Sequence, residues 1–320
     1  MSPTLQTPDV AAHEMFTDPK AAVVRLQELY TNASNFLCDG FNAAITQGQP
    51  ENRMRAYYPE IRLTTTSYAK TDSRLSFGHV AEPGMYATTV TRPDLFAHYL
   101  EQQIGLLIES HGVPVEIGVS STEMPVHFAV ANDASVSVPQ DGALDFTLRD
   151  RFDVPDLATT HDNIVNGVGF LYPDGARPLA PFTAQRIDYS LARLSHYTAT
   201  AAEHFQNHIL FTNYQFYVEE FEAFARTMLA DPDSGYTSFV GTGNIEITTA
   251  DAPMKVPAKL PQMPTFHLKR KGGGGITLVN IGVGPSNAKT ATDHIAVLRP
   301  HAWLMVGHCA GLRNSQRLGD

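Results

Sequence analysis

The chain has 320 residues and a formal charge of −10, with 43% apolar and 18% charged side chains. That is the composition of a folded chain with room for two domains, not of a disordered one. The acidic balance argues against a nucleic-acid or membrane-surface binder, since both need a basic face, yet it leaves room for an anionic small ligand held by local donors.

Two cysteines, Cys38 and Cys309, are too few and too far apart for a disulfide framework or a metal knuckle. No apolar run approaches the ~20 residues that span a bilayer. The opening MSPTLQTPDVAAHEMFTDP lacks the basic start and apolar centre of a signal peptide. The expectation is a cytoplasmic soluble protein.

Thr17-Asp18-Pro19 predicts a helix start, with a capping side chain and a proline in the first turn. From there Val23, Leu26, Leu29, Tyr30, Ala33 and Leu37 recur at helical spacing. TRPDLF predicts a second helix, capped by Thr91 with Pro93 in its first turn and Asp94 completing a box-like pattern; it stops at Gly112. IRLTTTSY, GMYATTVT, PVEIGVS and VHFAVAN read as strands rich in Val, Thr and Tyr. The region from Ala184 to Leu229 reads as helical again, through AQRIDYSLARLSHYT and NYQFYVEEFEAFARTML.

ADPDSG, residues 230–235, marks the expected domain boundary. Beyond it, TSFVGTGNIEITT is a strand that breaks at Gly241 and Gly243, FHLKRK a short strand, and GGGG a flexible turn. ITLVNIGVG, PSNAKTATDHIAVL and AWLMVG then predict a buried strand, a helix and a further buried strand, the opening of a doubly wound sheet. As a doubly wound domain it is unfinished, and the chain is expected to be truncated, with an exposed strand edge at AWLMV prone to aggregation.

GVGPSNAKT fits neither nucleotide-binding glycine pattern: Asn287 stands where the dinucleotide fingerprint needs its third glycine, and no Gly-Lys-Ser/Thr follows. A tight strand-to-helix turn explains it, although the helix N-terminus suits an anion. His204 and His208, four apart on an expected helix, imply no third ligand, so a metal site is not expected. Arg186, Tyr189, His196, Tyr197, Thr198 and Asn213 fall in one window whose guanidinium, hydroxyl and amide groups suit a phosphate or regulatory ligand. The alternative, that they belong to a helical core, stays open; Phe216, Phe221 and Phe224 read as core.

GITLVNIGVGPSNAKTATDHIAVLRPHAWLMVGHCAGLR resembles the start of the catalytic domain of the purine nucleoside phosphorylase/nucleosidase superfamily. With YATTVTRPDLFAHYLEQQ, RIDYSLARLSHYTAT and FTNYQFYVEEF, the whole chain resembles the AMP nucleosidase family within it. The resemblance implies an α+β N-terminal regulatory domain at 1–232 and, at 236–320, the first part of an incomplete three-layer α/β catalytic domain. It implies hydrolysis of AMP to adenine and ribose 5-phosphate, no catalytic cofactor, activation by MgATP, inhibition by phosphate, and assembly as a hexamer.

By the same resemblance His308 neighbours the ribose or phosphate, and Gly284, Cys309, Ala310 and Gly311 offer surface to the substrate. Met305 stands where phosphorylases of the superfamily place an arginine, which disfavours phosphate as co-substrate and favours water. Gly241 and Glu246 match the first-strand turn of methylthioadenosine nucleosidases, which makes Glu246 the expected catalytic base; its other reading is a solvated strand charge. The ribose clamp and the purine proton donor would lie beyond Asp320. The rival function is a catalytically inactive nucleotide- or phosphate-sensing fragment.

Overall fold

The computed structural model describes residues 4–8, 12–48, 51–70, 78–131, 146–160, 162–169, 171–255, 257–308 and 310–317. They fall into two compact units, Met1–Tyr189 and Ser190–Asp320. The division comes earlier than the boundary expected at 232/236. The reason is the segment HILFT, read as part of a helical stretch, which is a strand inside the second unit's sheet.

The first unit contains β1 (Leu5–Gln6), β2 (Glu14–Phe16), α1 (Pro19–Gln47), β3 (Arg53–Met54), β4 (Tyr57–Thr65), β5 (Gly84–Thr89), α2 (Ala97–His111), β6 (Val115–Glu123), α3 (Val126–Ala131), α4 (Leu148–Arg151) and β7 (Arg177–Pro178). Its five-stranded sheet has the order β2-β6-β4-β5-β7, antiparallel except at the β5–β7 edge. Asp18 caps α1 by accepting from the Lys20 N–H at 3.1 Å, and Pro19 occupies a first-turn position that needs no donor. The apolar stripe of α1, through Tyr30, Ala33, Leu37 and Phe41, packs into one core with Tyr58, Met124 and Phe152.

Two expectations fail here. VHFAVA is the short helix α3, not a strand. Thr91 does not cap α2, which begins at Ala97; its hydroxyl donates instead to the buried Asp188 carboxylate at 2.7 Å. The turn at Gly112 is as read, with φ 66°, a left-handed value that glycine adopts freely.

Asp153 ties the β3–β4 connection to the start of the core. It accepts from Arg53 Nη2 at 2.6 Å and from Arg55 Nε and Nη2 at 2.8 and 2.9 Å. Asp153→Ala leaves two half-buried guanidinium groups without their shared carboxylate. The expected loss is about 2 kcal/mol of stability, read by urea unfolding; a loss under ~0.5 kcal/mol would mark the cluster as solvated surface charge.

Helix α5 (Ala184–Thr198) contains the division between the units. The second unit continues with β8 (His208–Thr212), α6 (Gln215–Ala230), β9 (Tyr236–Gly241), β10 (Ile245–Ile247), β11 (Thr265–Arg270), β12 (Ile276–Asn280), α7 (Pro285–Ile295) and β13 (Ala302–Met305). Its six strands run in the order β10-β9-β11-β12-β8-β13. Only β12, β8 and β13 are parallel; β10, β9 and β11 form an antiparallel flank. The sheet is therefore mixed, not the start of a purely parallel one.

Two apolar clusters fill this unit, one around Leu194, Ile209, Val279 and Ile295, the other around Phe221, Phe239, Leu268 and Leu278. Phe221 is core as read, whereas Phe216 and Phe224 are exposed. β13 stands at the edge of the sheet, as expected of AWLMV, but it is exposed along its length, Trp303, Leu304 and Met305 included, where a buried strand was read. His204 sits in a short 3-10 turn and His208 in β8, so they share no helix face.

His267 is fully buried between Thr277 Oγ1, 2.9 Å from Nδ1, and Thr200 Oγ1, 3.1 Å from Nε2. Burial, helped by His204 and Lys269, holds its pKa well below the ordinary value, so it works as a neutral post across the sheet.

Candidate active site

Three parallel strands deliver their carboxyl ends to one rim of the second unit, the place where α/β sheets bind ligands. β8 runs into Asn213 and Tyr214 before α6 starts. β12 runs into Ile281–Gly284 before α7 starts, and β13 runs into Val306, Gly307 and His308. The ladder continues past the strand ends, with Ile281 N donating to Thr212 O at 2.9 Å and Val306 N to Phe211 O at 2.7 Å.

The β12–α7 loop is built by side chains that satisfy its backbone. Asn280 Oδ1 accepts from Gly282 N at 3.1 Å, and Asn287 Nδ2 donates to Ile281 O at 3.0 Å. Gly282 and Gly284 take φ of 62° and 111°, which only glycine adopts without strain. Asn287, which breaks the dinucleotide fingerprint, is therefore the brace of this loop. The N-terminus of α7 behind it points its free N–H groups at the rim.

Opposite this loop lies an aromatic group. The His308 ring meets the Tyr214 ring edge-on at 5.0 Å, and its Nε2 lies 3.4 Å from Tyr217 Oη. Gly307 runs beside Asn213, and a Cβ there would sit in ordinary contact with Asn213 Oδ1 at 3.4 Å. That amide oxygen is buried and takes no hydrogen bond, an acceptor held ready at the rim. The site thus combines exposed π-faces, an unused carbonyl acceptor and a helix N-terminus, a set that suits a planar base carrying an anionic group.

Of the residues expected to bind substrate, Gly284 and His308 stand at this rim; Asn213, read as a phosphate or regulatory candidate, stands there too. Ala310 and Gly311 follow in exposed chain without regular structure, and Cys309 lies outside the described residues. Gly241 closes β9 against the Met254 side chain.

Glu246 lies elsewhere. It is on β10, the opposite edge of the sheet from β13, with β9, β11, β12 and β8 between them. Ser238 Oγ donates to its Oε1 at 2.5 Å and Lys269 Nζ stands 3.5 Å away. The Ser238 hydrogen bond, outweighing burial and aided by Lys269, holds its carboxyl below the ordinary value, so the group is ionised and weakly basic.

The expected phosphate window does not form one cluster. Arg186, in the first unit with Tyr189, donates through Nε to Asp162 Oδ1 at 2.6 Å. Thr198 is buried and donates to Leu194 O at 2.8 Å. His196 meets Tyr197 edge-on at 5.3 Å, and Tyr197 stacks on His294 while Arg193 covers its ring at 4.5 Å. Sequence reading missed Tyr217 and the bracing role of Asn280; the signal for Tyr217 was its position three residues after Tyr214 on a helix. Among the described residues, no group of three or more His, Cys, Asp or Glu is placed to hold a metal, and no helix is long and apolar enough to cross a membrane.

Residues 21–175 match a family described as the bacterial AMP nucleoside phosphorylase N-terminus. Beyond that class, the chain is 41% identical over 316 residues to the AMP nucleosidases of Escherichia coli K12 and O157:H7, an alignment covering 94% of this chain. The resemblance read from the sequence is thereby borne out. The chain spans 64% of the length of these relatives. A crystal structure of AMP nucleosidase from Bacteroides thetaiotaomicron aligns at 24% identity and a TM-score of 0.30, over 42% of this chain and 45% of that one.

Proposed function

We propose that the protein hydrolyses the N-glycosidic bond of AMP, yielding adenine and ribose 5-phosphate. The observation that carries this reading is the 41% identity to AMP nucleosidase along 94% of the chain, which runs through both units. The rim of the second unit supplies chemistry in keeping with it. As the purine leaves with the bonding electrons, positive charge develops on the ribose, and the reaction needs a flat seat for the base, an anchor for the 5′-phosphate and a positioned water. In this reading Tyr214, Tyr217 and His308 offer the seat, the α7 N-terminus the anchor, and Asn213 Oδ1 an acceptor for a sugar hydroxyl or the water. Met305, a thioether, provides no charge for a phosphate co-substrate, which favours water as the nucleophile.

The same reading takes MgATP as activator and phosphate as inhibitor, needs no catalytic cofactor, and sets the protein in the cytoplasm as a hexamer. The role of Glu246 as base stays a proposal supported by its spacing from Gly241 and its ionised state; its distance from the rim within the sheet is the reason to test it separately.

The test is chromatographic detection of adenine released from AMP, with MgATP present and phosphate absent. Steady release dependent on the protein is expected, and saturable AMP binding without release would support the rival sensing role. His308→Ala is expected to lower kcat/KM at least ~10-fold with the fold intact, about 1.4 kcal/mol of transition-state stabilisation. In parallel, Glu246→Gln should depress turnover far more than AMP binding if Glu246 activates the water; unchanged turnover removes it from that role.

A further inference from the structure

Helix α1 of the first unit carries an uncharged polar stripe beside its buried apolar face. Gln27, Thr31, Ser34 and Asn35 recur at three- and four-residue steps and line a cavity of about 290 Å3. Its other wall is the Arg92–Pro93–Asp94 turn, the segment read from sequence as the start of α2.

Three features mark this recess as built. Arg92 is buried and held at φ 44°, a left-handed backbone that residues other than glycine rarely adopt and that clusters at ligand sites. Its guanidinium grips Asp94, Nε to Oδ1 at 3.1 Å and Nη2 to Oδ2 at 2.9 Å, which fixes the carboxylate in the wall. Tyr30, also lining the cavity, has a buried hydroxyl with no hydrogen-bond partner, while the neighbouring Thr91 donates its proton to Asp188.

The lining selects a chemical class. Among the described lining residues the one guanidinium is compensated by the one carboxylate and there is no lysine, so a polyphosphate meets no spare positive charge there. What remains is three hydroxyls, that of Tyr30 included, two carboxamides and the outer lone pairs of a fixed carboxylate. A carboxylate can accept both O–H groups of neighbouring hydroxyls, as acidic residues do for ribose. The volume suits a single sugar or nucleoside, at the lower limit of small-ligand pockets. We propose that this cavity binds a pentose-bearing ligand through its vicinal diol, with Asp94 accepting from the diol and Gln27 and Asn35 reading the remaining polar edge.

The inference stands apart from AMP hydrolysis and is read by binding alone. Isothermal titration of the full chain with adenosine, ribose 5-phosphate and 2′-deoxyadenosine separates the sources. Saturable binding of adenosine or of ribose 5-phosphate is expected, and whichever binds names the nucleoside or the free sugar phosphate as the source. Asp94→Asn should weaken that binding at least ~10-fold, and Ser34→Trp, which fills the recess, should abolish it. 2′-Deoxyadenosine, lacking the diol, should bind at least ~10-fold more weakly than adenosine. No binding by either diol probe overturns the proposal, as does binding that survives both substitutions in folded protein or that ignores loss of the 2′-hydroxyl.

Discussion

Gly275→Ala is expected to destabilise the second unit by about 3 kcal/mol or more. A Cβ at Gly275 would lie 2.1 Å from Leu268 O and 2.9 Å from Arg270 N, both backbone atoms of β11. Neither can step aside without parting the β11–β12 ladder, where Leu268 faces Ile276. Gln206 Oε1 shares the same crowded spot, accepting from Gly275 N and Arg270 N at 3.2 Å each. Gly272→Ala, three residues earlier, is the control. Its φ of 71° favours glycine, but a Cβ there meets nothing within 4 Å. Only the left-handed backbone resists the change, at about 1 kcal/mol. Urea unfolding of the two variants should therefore differ several-fold in effect. Equal effects would mean that the glycine run is a flexible turn and no more.

The second large effect concerns pH. Asp188 is buried at the centre of the first unit, accepting from Tyr58 Oη at 2.6 Å and Thr91 Oγ1 at 2.7 Å. Burial pushes its carboxyl up to about 6, against the lowering effect of the two hydroxyls and of Arg92. An acid raised on folding binds its proton more tightly in the native state than in the unfolded chain. Its contribution to stability is thus fully present below about pH 4, falls as the pH rises to about 6, and is flat above that. The amount lost across this window is about 3 kcal/mol. Asp188→Asn cannot ionise, so its stability relative to the native protein should rise by that amount between pH 4 and pH 7. Unfolding curves at four pH values check it; parallel curves for the two proteins would sink the assignment.

The sequence showed the fold wherever a local signal dominates. Asp18-Pro19, Gly112 and the Gly241–Gly243 break each act within a turn of the chain, and each marks an element end in the structure. HILFT was hidden because five residues flanked by two helices have no period of their own, and only pairing with distant β12 and β13 makes them a strand. Thr91 misled for a similar reason: the partner that claims its hydroxyl is Asp188, far along the chain. At the site, the family resemblance pointed to Gly284 and His308. The tyrosines that face His308 needed the strand order, and so did the separation of Glu246 from the rim.

The position of β8 has a kinetic consequence. It lies between β12 and β13, and both neighbours are parallel strands from much later in the chain. Nothing synthesised before residue 276 can pair with it, and its second partner begins only at residue 302. Such non-local parallel pairings close large loops before any contact rewards them, so they form slowly. On a ribosome, the first unit can be complete while β8 still waits, and Asn213, Gly284 and His308 meet only after residue 308 has been made.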